Sequence, residues 1–411
     1  MRSSAAARVD PAAPRDDDGA AKLVSGPLTP ETAARVAVAN NHAVQAAYAR
    51  LGVAHGELVH ALRVPNPRAD GAVRFRRTGA PDIEILATIG LSELAFLPLR
   101  SEAAEASLEA ERLGVVAFIV DLTFDVREAF FAYQAAEQAL ELDRSVLAAT
   151  QASADAAAHL HEAGNLTDLD LANERAFAEE ARVATRRAET ARTEARARLS
   201  ELMGLAPTTE WTLATTRLPE PPAEELPLEH FEQRALSRSL DLSIAKQRAT
   251  AADKRATAAE VEGLVPELRA GVSARREGDW GVGPAATLEV PLFYQGQGLT
   301  EVARAERTEQ QELGASLAFT LRTAAATAAD RLRAARANAL EYRDVLLPLR
   351  QRVLDESELQ YNAMALGVFQ LLAAKRDEVQ TARTYVELLR EYWTARAEVE
   401  RLEAGRLRAA R

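Results

Sequence analysis

The sequence contains no cysteine among its 411 residues. This excludes disulfides, thiolate metal sites, cysteine nucleophiles and the lipidated N-terminal cysteine of a bacterial lipoprotein. Aromatic residues are also scarce, at 5%, whereas 47% of the chain is hydrophobic with alanine as the largest component. Alanine packs helices closely but lacks the bulk for a large single-chain core. We therefore expect partner chains to cover its apolar stripes.

Other absences narrow the function further. No apolar run approaches the ~18 residues of a transmembrane helix, which leaves a β-barrel as the membrane-crossing route. Residues 1–27 lack the apolar centre of a signal peptide and are typical of a disordered segment, which counts against export. The net charge is −11 without a basic stripe, which argues against nucleic-acid binding.

Signatures of catalysis are missing as well. The six histidines never show His-Glu-x-x-His spacing, and neither a glycine-rich phosphate loop nor a nucleophile elbow is present. His159 and His161 lie two apart on a helix and so face different ways. Gly281 and Gly283 fit a hairpin turn. The sequence predicts no enzyme, no metal site and no cofactor.

The sequence contains an internal repeat: the same pattern of elements occurs twice, with a period of about 200 residues. Each copy has the pattern of a helix, two strands, a very long helix, a turn and a shorter helix. The predicted parts are a disordered segment at 1–27, a first repeat at 28–204, a linker at 205–228 and a second repeat at 229–411. The predicted helices are Pro30–Arg63, Arg100–Glu162, Asp168–Met203, Glu229–Gly263, an uninterrupted Leu299–Ala365, and Val368–Leu407.

Four segments alternate with a period of two and are predicted strands: Ala69–Arg77, Ile83–Leu91, Glu267–Glu277 and Ala285–Phe293. Apolar side chains fall on one face and charged ones on the other, as in a lipid-spanning barrel with a wet lumen. Four strands cannot close a barrel alone. A soluble four-stranded sheet packed on helices is the alternative. The predicted lumen-facing residues are Arg74, Arg76, Glu84, Arg269, Arg275 and Glu289.

Local motifs then carry a family resemblance. They are "ANNHAVQAA" from Ala39, "VPNP" from Val64, "LHEAGNLTDLDLANERA" from Leu160, "RLSELMGL" from Arg198 and "VPLF" from Val290. In this order, and in duplicate, the sequence resembles the TolC-like outer-membrane efflux proteins (outer membrane factors), within them the heavy-metal and cation resistance branch. The chain departs from the family at His42, where a proline is usual, and at Ala373, which stands where the first copy has Asp170.

The resemblance implies a mainly α fold of duplicated long helical hairpins that form an α-barrel of coiled-coil type. The four short strands of each chain would contribute to a trimeric, 12-stranded transmembrane β-barrel in the outer membrane. It implies the exit duct of a tripartite efflux system that passes metal cations or drugs. The implied partners are two further copies of the chain, outer-membrane lipid, a periplasmic membrane fusion (adaptor) protein and an inner-membrane pump of the RND type.

In this family the helical tips dock onto the adaptor. The candidate docking residues are Gly164, Asn165, Leu166, Thr167, Asp170, Leu171, Gly367, Val368, Phe369 and Gln370. Phe369 is expected to be exposed, and Gly164 and Thr167 also fit an αL helix end and an N-cap. Asp168, Asp170 and Glu174 fit either a cation-selecting lumenal ring or a solvated helix start.

Two further functions stay open from the sequence. The N-terminus favours a soluble coiled-coil scaffold without a membrane role. A type I secretion system uses the same kind of outer-membrane channel.

Overall fold

The computed structural model describes residue 24, residues 26–77, 79–277 and 279–290, residue 293 and residues 295–408. The predicted disordered segment 1–27 lies outside the described residues except for positions 24, 26 and 27, and so do Pro291 and Leu292 of the last predicted strand. The fold is mainly α with one four-stranded sheet, as the sequence predicts.

The chain divides into two compact units. The helical unit comprises Met1–Val44, Ile119–Ala235 and Ala324–Arg411, and the sheet unit comprises Gln45–Phe118 and Leu236–Thr323. Each unit therefore takes segments from both predicted repeats. The division into repeats and linker stays a prediction.

The helices follow the predicted order with corrected bounds. The helices are α1 (Pro30–Asn40), α2 (His42–Ala61), α3 (Leu91–Ala95), α4 (Leu97–Glu162), α5 (Asp168–Met203), α6 (Phe231–Arg238), α7 (Leu240–Leu264), α8 (Gln297–Glu341), α9 (Leu347–Asn362) and α10 (Val368–Glu403).

The first helix of each predicted repeat is broken at a polar residue. The predictions of single helices from Pro30 and from Glu229 were wrong, because Asn41 and Ser239 interrupt them with extended backbone. Asn41 Oδ1 accepts from the backbone N–H of Ala43 at 2.8 Å, and Ser239 Oγ accepts from that of Leu242 at 3.1 Å. Short polar side chains that bond to their own backbone favour caps over helix interiors.

The two long helices differ from each other. Helix α4 runs without a break for 66 residues, close to its prediction. Its counterpart is interrupted, contrary to prediction, by a π-helical turn at Tyr342–Leu346 between α8 and α9. Pro348 has no N–H and cannot donate to the carbonyl four residues earlier. The N–H of the preceding Leu347 donates to the carbonyl of Tyr342, five residues earlier, which is the bond of a π-helix.

The strands are β1 (Arg68–Arg74), β2 (Asp82–Gly90), β3 (Glu267–Glu277) and β4 (Asp279–Glu289), antiparallel in chain order. The predicted turn around Gly281 and Gly283 was wrong, since these residues pair with Arg275 and Ser273 inside the β3–β4 ladder. Strand β4 therefore begins earlier than predicted. It is an edge strand of the described sheet, where Pro284 is tolerated.

The predicted linker packs into the core of the helical unit. Trp211 and Leu218 of the linker are buried, as is Tyr392 of α10. The Tyr392 hydroxyl donates to Glu225 Oε2 at 2.6 Å, and the Trp393 indole N–H donates to the carbonyl of Pro219 at 2.7 Å. Burial, together with the hydrogen bond to Glu225, raises the pKa of Tyr392 to about 12. The linker is thus bound to the helices rather than loosely attached.

Candidate functional site

The register of the sheet separates two faces. Residues directly opposite one another on paired strands share a face. The apolar face is formed by Ala69, Gly71, Val73, Ile83, Ile85, Ala87, Ile89, Leu268, Ala270, Val272, Ala274, Arg276, Trp280, Val282, Pro284, Ala286 and Leu288. The other face, the polar face, has most of the charged side chains of the strands, with Leu86 as an apolar member.

Five of the six predicted lumen-facing residues lie on the polar face: Arg74, Glu84, Arg269, Arg275 and Glu289. Glu84 is directly opposite Arg275. The sixth, Arg76, lies past the end of β1 and pairs with Asp82 at 2.7 Å and Glu277 at 3.2 Å. That these residues face a lumen stays a prediction.

Arg269 is the most constrained of these charges. Its Nε donates to Thr88 Oγ1 at 3.3 Å, and its Nη1 lies 3.2 Å from Glu267 and 3.7 Å from Glu93. Thr88 is buried, and Ser92 of α3 accepts from the backbone N–H of Leu268 at 3.2 Å. Helix α3 thereby packs against β3 and holds the Arg269 guanidinium in place.

The apolar face lies open. Ile85, Val272, Val282 and Leu288 are all exposed, up to 73% for Val282. The helices of the sheet unit therefore leave this face uncovered, which argues against a soluble sheet packed on helices. Within the described residues, the outer edges of β1 and β4 also lack a paired strand. Open apolar faces and open edges both mark surfaces that another molecule covers.

The first helical turn, by which we mean the connection of residues 163–167 between helices α4 and α5, has the caps that its sequence predicts. Gly164 has a φ of +74°, and the N–H of Asn165 donates to the carbonyl of Leu160 at 2.8 Å. Thr167 Oγ1 accepts from the backbone N–H of Asp170 at 3.2 Å and donates to its carboxylate at 2.7 Å. These bonds are a helix C-terminal cap followed directly by an N-cap.

The leucines in and just after this turn differ in exposure. Leu171, a candidate docking residue, is buried, whereas Leu169 is 69% exposed. Leu166 is half-buried, and Gly164, Asn165, Thr167 and Asp170 are exposed. The sequence reasoning missed Leu169, although a leucine between Asp168 and Asp170 in the first turn of an exposed helix was a visible signal.

The second helical turn, residues 363–367, has the same helix C-terminal cap in different residues, but its N-cap is bonded differently. The N–H of Ala365 donates to the carbonyl of Gln360 at 2.9 Å, and the left-handed position is Met364, with a φ of +58°. Gly367 is the N-cap, with a φ of −78°, and its N–H donates to Gln370 Oε1 at 2.8 Å. Val368 follows as the first residue of α10 and is half-buried.

Two interpretations of the second turn were therefore wrong. Gln370, not Ala373, is the counterpart of Asp170, because both side chains reach back to their N-cap. Matching the glycines Gly164 and Gly367 misaligned the turns by three residues. Phe369 is half-buried rather than exposed, and the exposed apolar side chain is Met364, at 94%.

The three acidic residues near the first turn separate into two kinds. Asp168 and Asp170 are exposed at the start of α5, with Asp168 Oδ1 3.3 Å from His161 Nε2. Glu174 is buried and accepts from Ser153 Oγ at 2.5 Å. Glu174 is thus satisfied inside the chain, and the helix start explains the other two acids through its dipole.

The "ANNH" motif has a structural role that the sequence did not disclose. Asn40 Nδ2 donates to the carbonyl of Gly204 at 2.6 Å, and Asn41 Nδ2 donates to that of Leu202 at 2.8 Å. These amides satisfy carbonyls at the end of α5 that have no partner within the helix. Gly204 has a φ of +68°, and a Cβ there would lie 2.9 Å from the Asn40 carbonyl oxygen.

The described residues contain neither a helix suited to crossing a membrane nor a cluster of metal-binding side chains. No helix in this part of the chain combines the length and the apolar character that crossing a membrane needs. Nor do three or more His, Asp or Glu side chains of the same residues form a group that could hold a metal ion.

Known proteins resemble this chain over nearly its full length. No protein-family model matches it. It is 23% identical over 389 residues to the cobalt-zinc-cadmium resistance protein CzcC of Cupriavidus metallidurans, covering 92% of this chain and 90% of CzcC. The solved structure of CusC, described as forming a transmembrane channel, superposes with a TM-score of 0.72 and 18% identity over 92% of both chains. The outer membrane protein VceC of Vibrio cholerae gives 0.75 and 14%, over 92% of this chain and 96% of VceC.

These relatives agree with the prediction of a non-enzymatic protein: CzcC is named as a resistance protein, CusC is described as forming a transmembrane channel, and VceC is described as an outer membrane protein. The predicted resemblance is therefore confirmed: the chain has the fold of the TolC-like outer-membrane factor channels and is similar to their heavy-metal resistance branch.

Proposed function

We propose that this chain is the outer-membrane exit duct of a tripartite efflux system. The likeness to outer-membrane channels over 92% of the chain supports this role. The cargo we propose is metal cations, since the relative CzcC is named for cobalt, zinc and cadmium resistance; drugs are the second cargo class.

The observation that carries the proposal is the sheet. Its apolar face is exposed, its polar face has the charged residues, and β1 and β4 are unpaired edges in the described chain. Three copies would supply twelve strands and remove every open edge. The apolar faces would then contact lipid, and Arg74, Glu84, Arg269, Arg275 and Glu289 would line a water-filled bore.

The two helical turns are the proposed contact with a periplasmic adaptor protein, which would link the duct to an inner-membrane pump of the RND type. Both turns are capped tightly, so their exposed groups are held in fixed positions. Leu169, two residues after the first turn, and Met364, within the second turn, are exposed large apolar side chains. Exposed apolar residues on a rigid turn favour contact with another protein.

Insertion of the purified full-length protein into a planar lipid bilayer tests the proposal. We expect a trimeric mass in detergent and discrete conductance steps. Val272→Arg places a charge on the exposed apolar face and should abolish insertion, because such a charge in lipid costs roughly 2–4 kcal/mol. Ser273→Arg, one residue along β3 on the polar face, is the matched control and should still insert. A monomer that conducts no ions would contradict the proposal.

A further inference from the structure

One charged residue lies on the apolar face of the sheet. Val73, Ile83, Arg276 and Trp280 are directly opposite one another across the four strands and form the apolar-face row nearest the hairpin ends. The remaining apolar-face residues of the described strands are aliphatic, glycine, alanine or proline. Arg276 is therefore the single charge on that face and lies at its hairpin end.

Arg276 has no partner among the described residues. It is half-buried, and neither a hydrogen bond nor an ion pair reaches its guanidinium. The neighbouring Arg76 and Arg275, by contrast, pair with Glu277 at 3.2 and 3.5 Å. At this end of the sheet Asp82 is opposite Arg74, and Glu277 is opposite Asp279; all three carboxylates lie at polar-face positions, one residue away from the row of Arg276. The alternation of the strands thus directs them away from Arg276.

The neighbours of Arg276 are those of an interface between apolar and polar surroundings. Trp280, its direct cross-strand partner, is 55% exposed, and Phe75, just past the end of β1, is 86% exposed. Aromatic side chains of this kind concentrate where a membrane meets water. The hairpin ends are also the strand ends that do not lead into helices α3 and α8. The row therefore marks one border of the apolar face.

We propose that Arg276 binds the phosphate of a lipid headgroup at this border. The inference rests on the proposed function, in which the apolar face meets lipid. A guanidinium presents a planar fork of donors that matches two phosphate oxygens, and it forms its strongest bonds in poorly hydrated surroundings. A phospholipid whose phosphate lies at the level of Trp280 would place that anion beside Arg276. Its acyl chains would then contact the exposed side chains of Val272, Val282 and Ile85. Among the described residues, Arg276 supplies the cation and no carboxylate pairs with it.

Native mass spectrometry of the detergent-solubilised full-length protein tests the proposal. The probes are dimyristoyl phosphatidylglycerol and dimyristoylglycerol, which has the same chains without the phosphate. The wild type should retain the phospholipid in preference. Arg276→Gln should weaken phospholipid binding about tenfold, as expected for the loss of a charged hydrogen-bond donor, and Arg276→Lys by less.

Arg74→Gln is the matched control, because Arg74 is an exposed arginine near the hairpin end of β1 on the polar face. It should bind the phospholipid as the wild type does. Equal binding of the two probes, unchanged binding by Arg276→Gln, an equal loss in Arg74→Gln, or equally tight binding of inorganic phosphate would each overturn the proposal. Bilayer conductance of the same preparations separates the two claims, since a wild type that conducts but ignores the phosphate contradicts this inference alone.

Discussion

The two helical turns have one backbone and two sequences. In each, a left-handed residue follows the first helix and an N-cap comes three residues later, with matching backbone hydrogen bonds at the end of the first helix. The first turn uses Gly164 and Thr167, whereas the second uses Met364 and Gly367. The glycine is thus at the strained position in one turn and at the unstrained position in the other. The shared fold requires the conformation, and it tolerates an unfavourable residue where the neighbouring helices determine the turn.

The two hairpins show the converse: both have a glycine in their first strand, but only one of these positions lacks room for a side chain. Gly71 in β1 and Gly271 in β3 both lie in the first strand of their hairpin. A Cβ at Gly71 would have its nearest contact at 3.8 Å, whereas one at Gly271 would lie 1.8 Å from the carbonyl oxygen of Ala87. Strand β1 is an edge, but β3 is paired on both sides. Only the central position therefore requires glycine.

The largest expected effect breaks this second comparison. Gly271→Ala should destabilise the protein by about 1–3 kcal/mol, at the upper end, because the methyl group overpacks against the β2 backbone. Gly71→Ala should change stability by less than about 0.5 kcal/mol, as an exposed substitution without a clash. Urea denaturation of both purified variants gives the comparison. Equal destabilisation by the two substitutions would show that the tight contact at Gly271 has no energetic effect.

Exchanging the left-handed residues tests the turns. Gly164→Ala should destabilise the first turn by about 1–2 kcal/mol, since a side chain at positive φ is strained. Met364→Gly should stabilise the second turn by somewhat less, because glycine also gains entropy in the unfolded chain. Hydrogen exchange at the amides of Asn165 and Ala365 reports each turn separately. Effects of the same sign in both variants would refute the assignment of Met364 as the counterpart of Gly164.

The caps should give a smaller, asymmetric effect. Thr167→Ala removes the oxygen that accepts from the Asp170 N–H and should cost about 1 kcal/mol. Gly367→Ser supplies such an oxygen to the second turn and should gain only a few tenths of a kcal/mol, since glycine is already a fair N-cap. Exchange at the first amides of α5 and α10 measures both. A loss of protection in Gly367→Ser would contradict the shared cap geometry.

The smallest effect concerns two aspartates in the long helices. Asp143 of α4 has a side chain only 4% exposed, and burial raises its pKa despite Arg383 at 2.9 Å. Asp344, in the exposed π-helical turn, has a lowered pKa because Arg343 bonds to it. A raised pKa in the folded state means that the folded protein binds the proton more tightly than the unfolded chain does. The contribution of Asp143 to the free energy of unfolding should therefore fall as the pH rises above 3.8. Asp344 should do the opposite, losing its contribution as pH falls below 3.8.

Unfolding titrations between pH 3 and 7 check this pair, with the pH range set by the ordinary carboxyl pKa values of about 4. Asp143→Asn should reduce the fall in the free energy of unfolding that occurs as the pH rises toward 7, the upper end of this range. It should not abolish that fall, because burial also raises the pKa of Glu128. Asp344→Asn should leave the alkaline side unchanged. Identical curves for the two variants would contradict the difference in burial.

Much of the candidate site was readable from the sequence. The charged positions Arg74, Glu84 and Arg275 were predicted on one face because strand alternation is a local property of the backbone. The Gly164–Thr167 caps were predicted for the same reason, since a cap is made by residues a few positions apart. Met364 was missed because methionine carries no signal for a left-handed conformation. The glycine Gly367 was matched with Gly164 in its place.

By itself, the sequence determined the order of the elements, the two faces of each strand and the likeness to outer-membrane channels, because periodicity and turn chemistry act over a few neighbouring residues. Only the tertiary structure decided which strands are edges, which glycine is indispensable, and which charge lacks a partner. Those properties depend on pairing between segments about 200 residues apart, as in the β2–β3 ladder that places Ile83 beside Arg276, and a single chain's local pattern does not encode the register of such pairs.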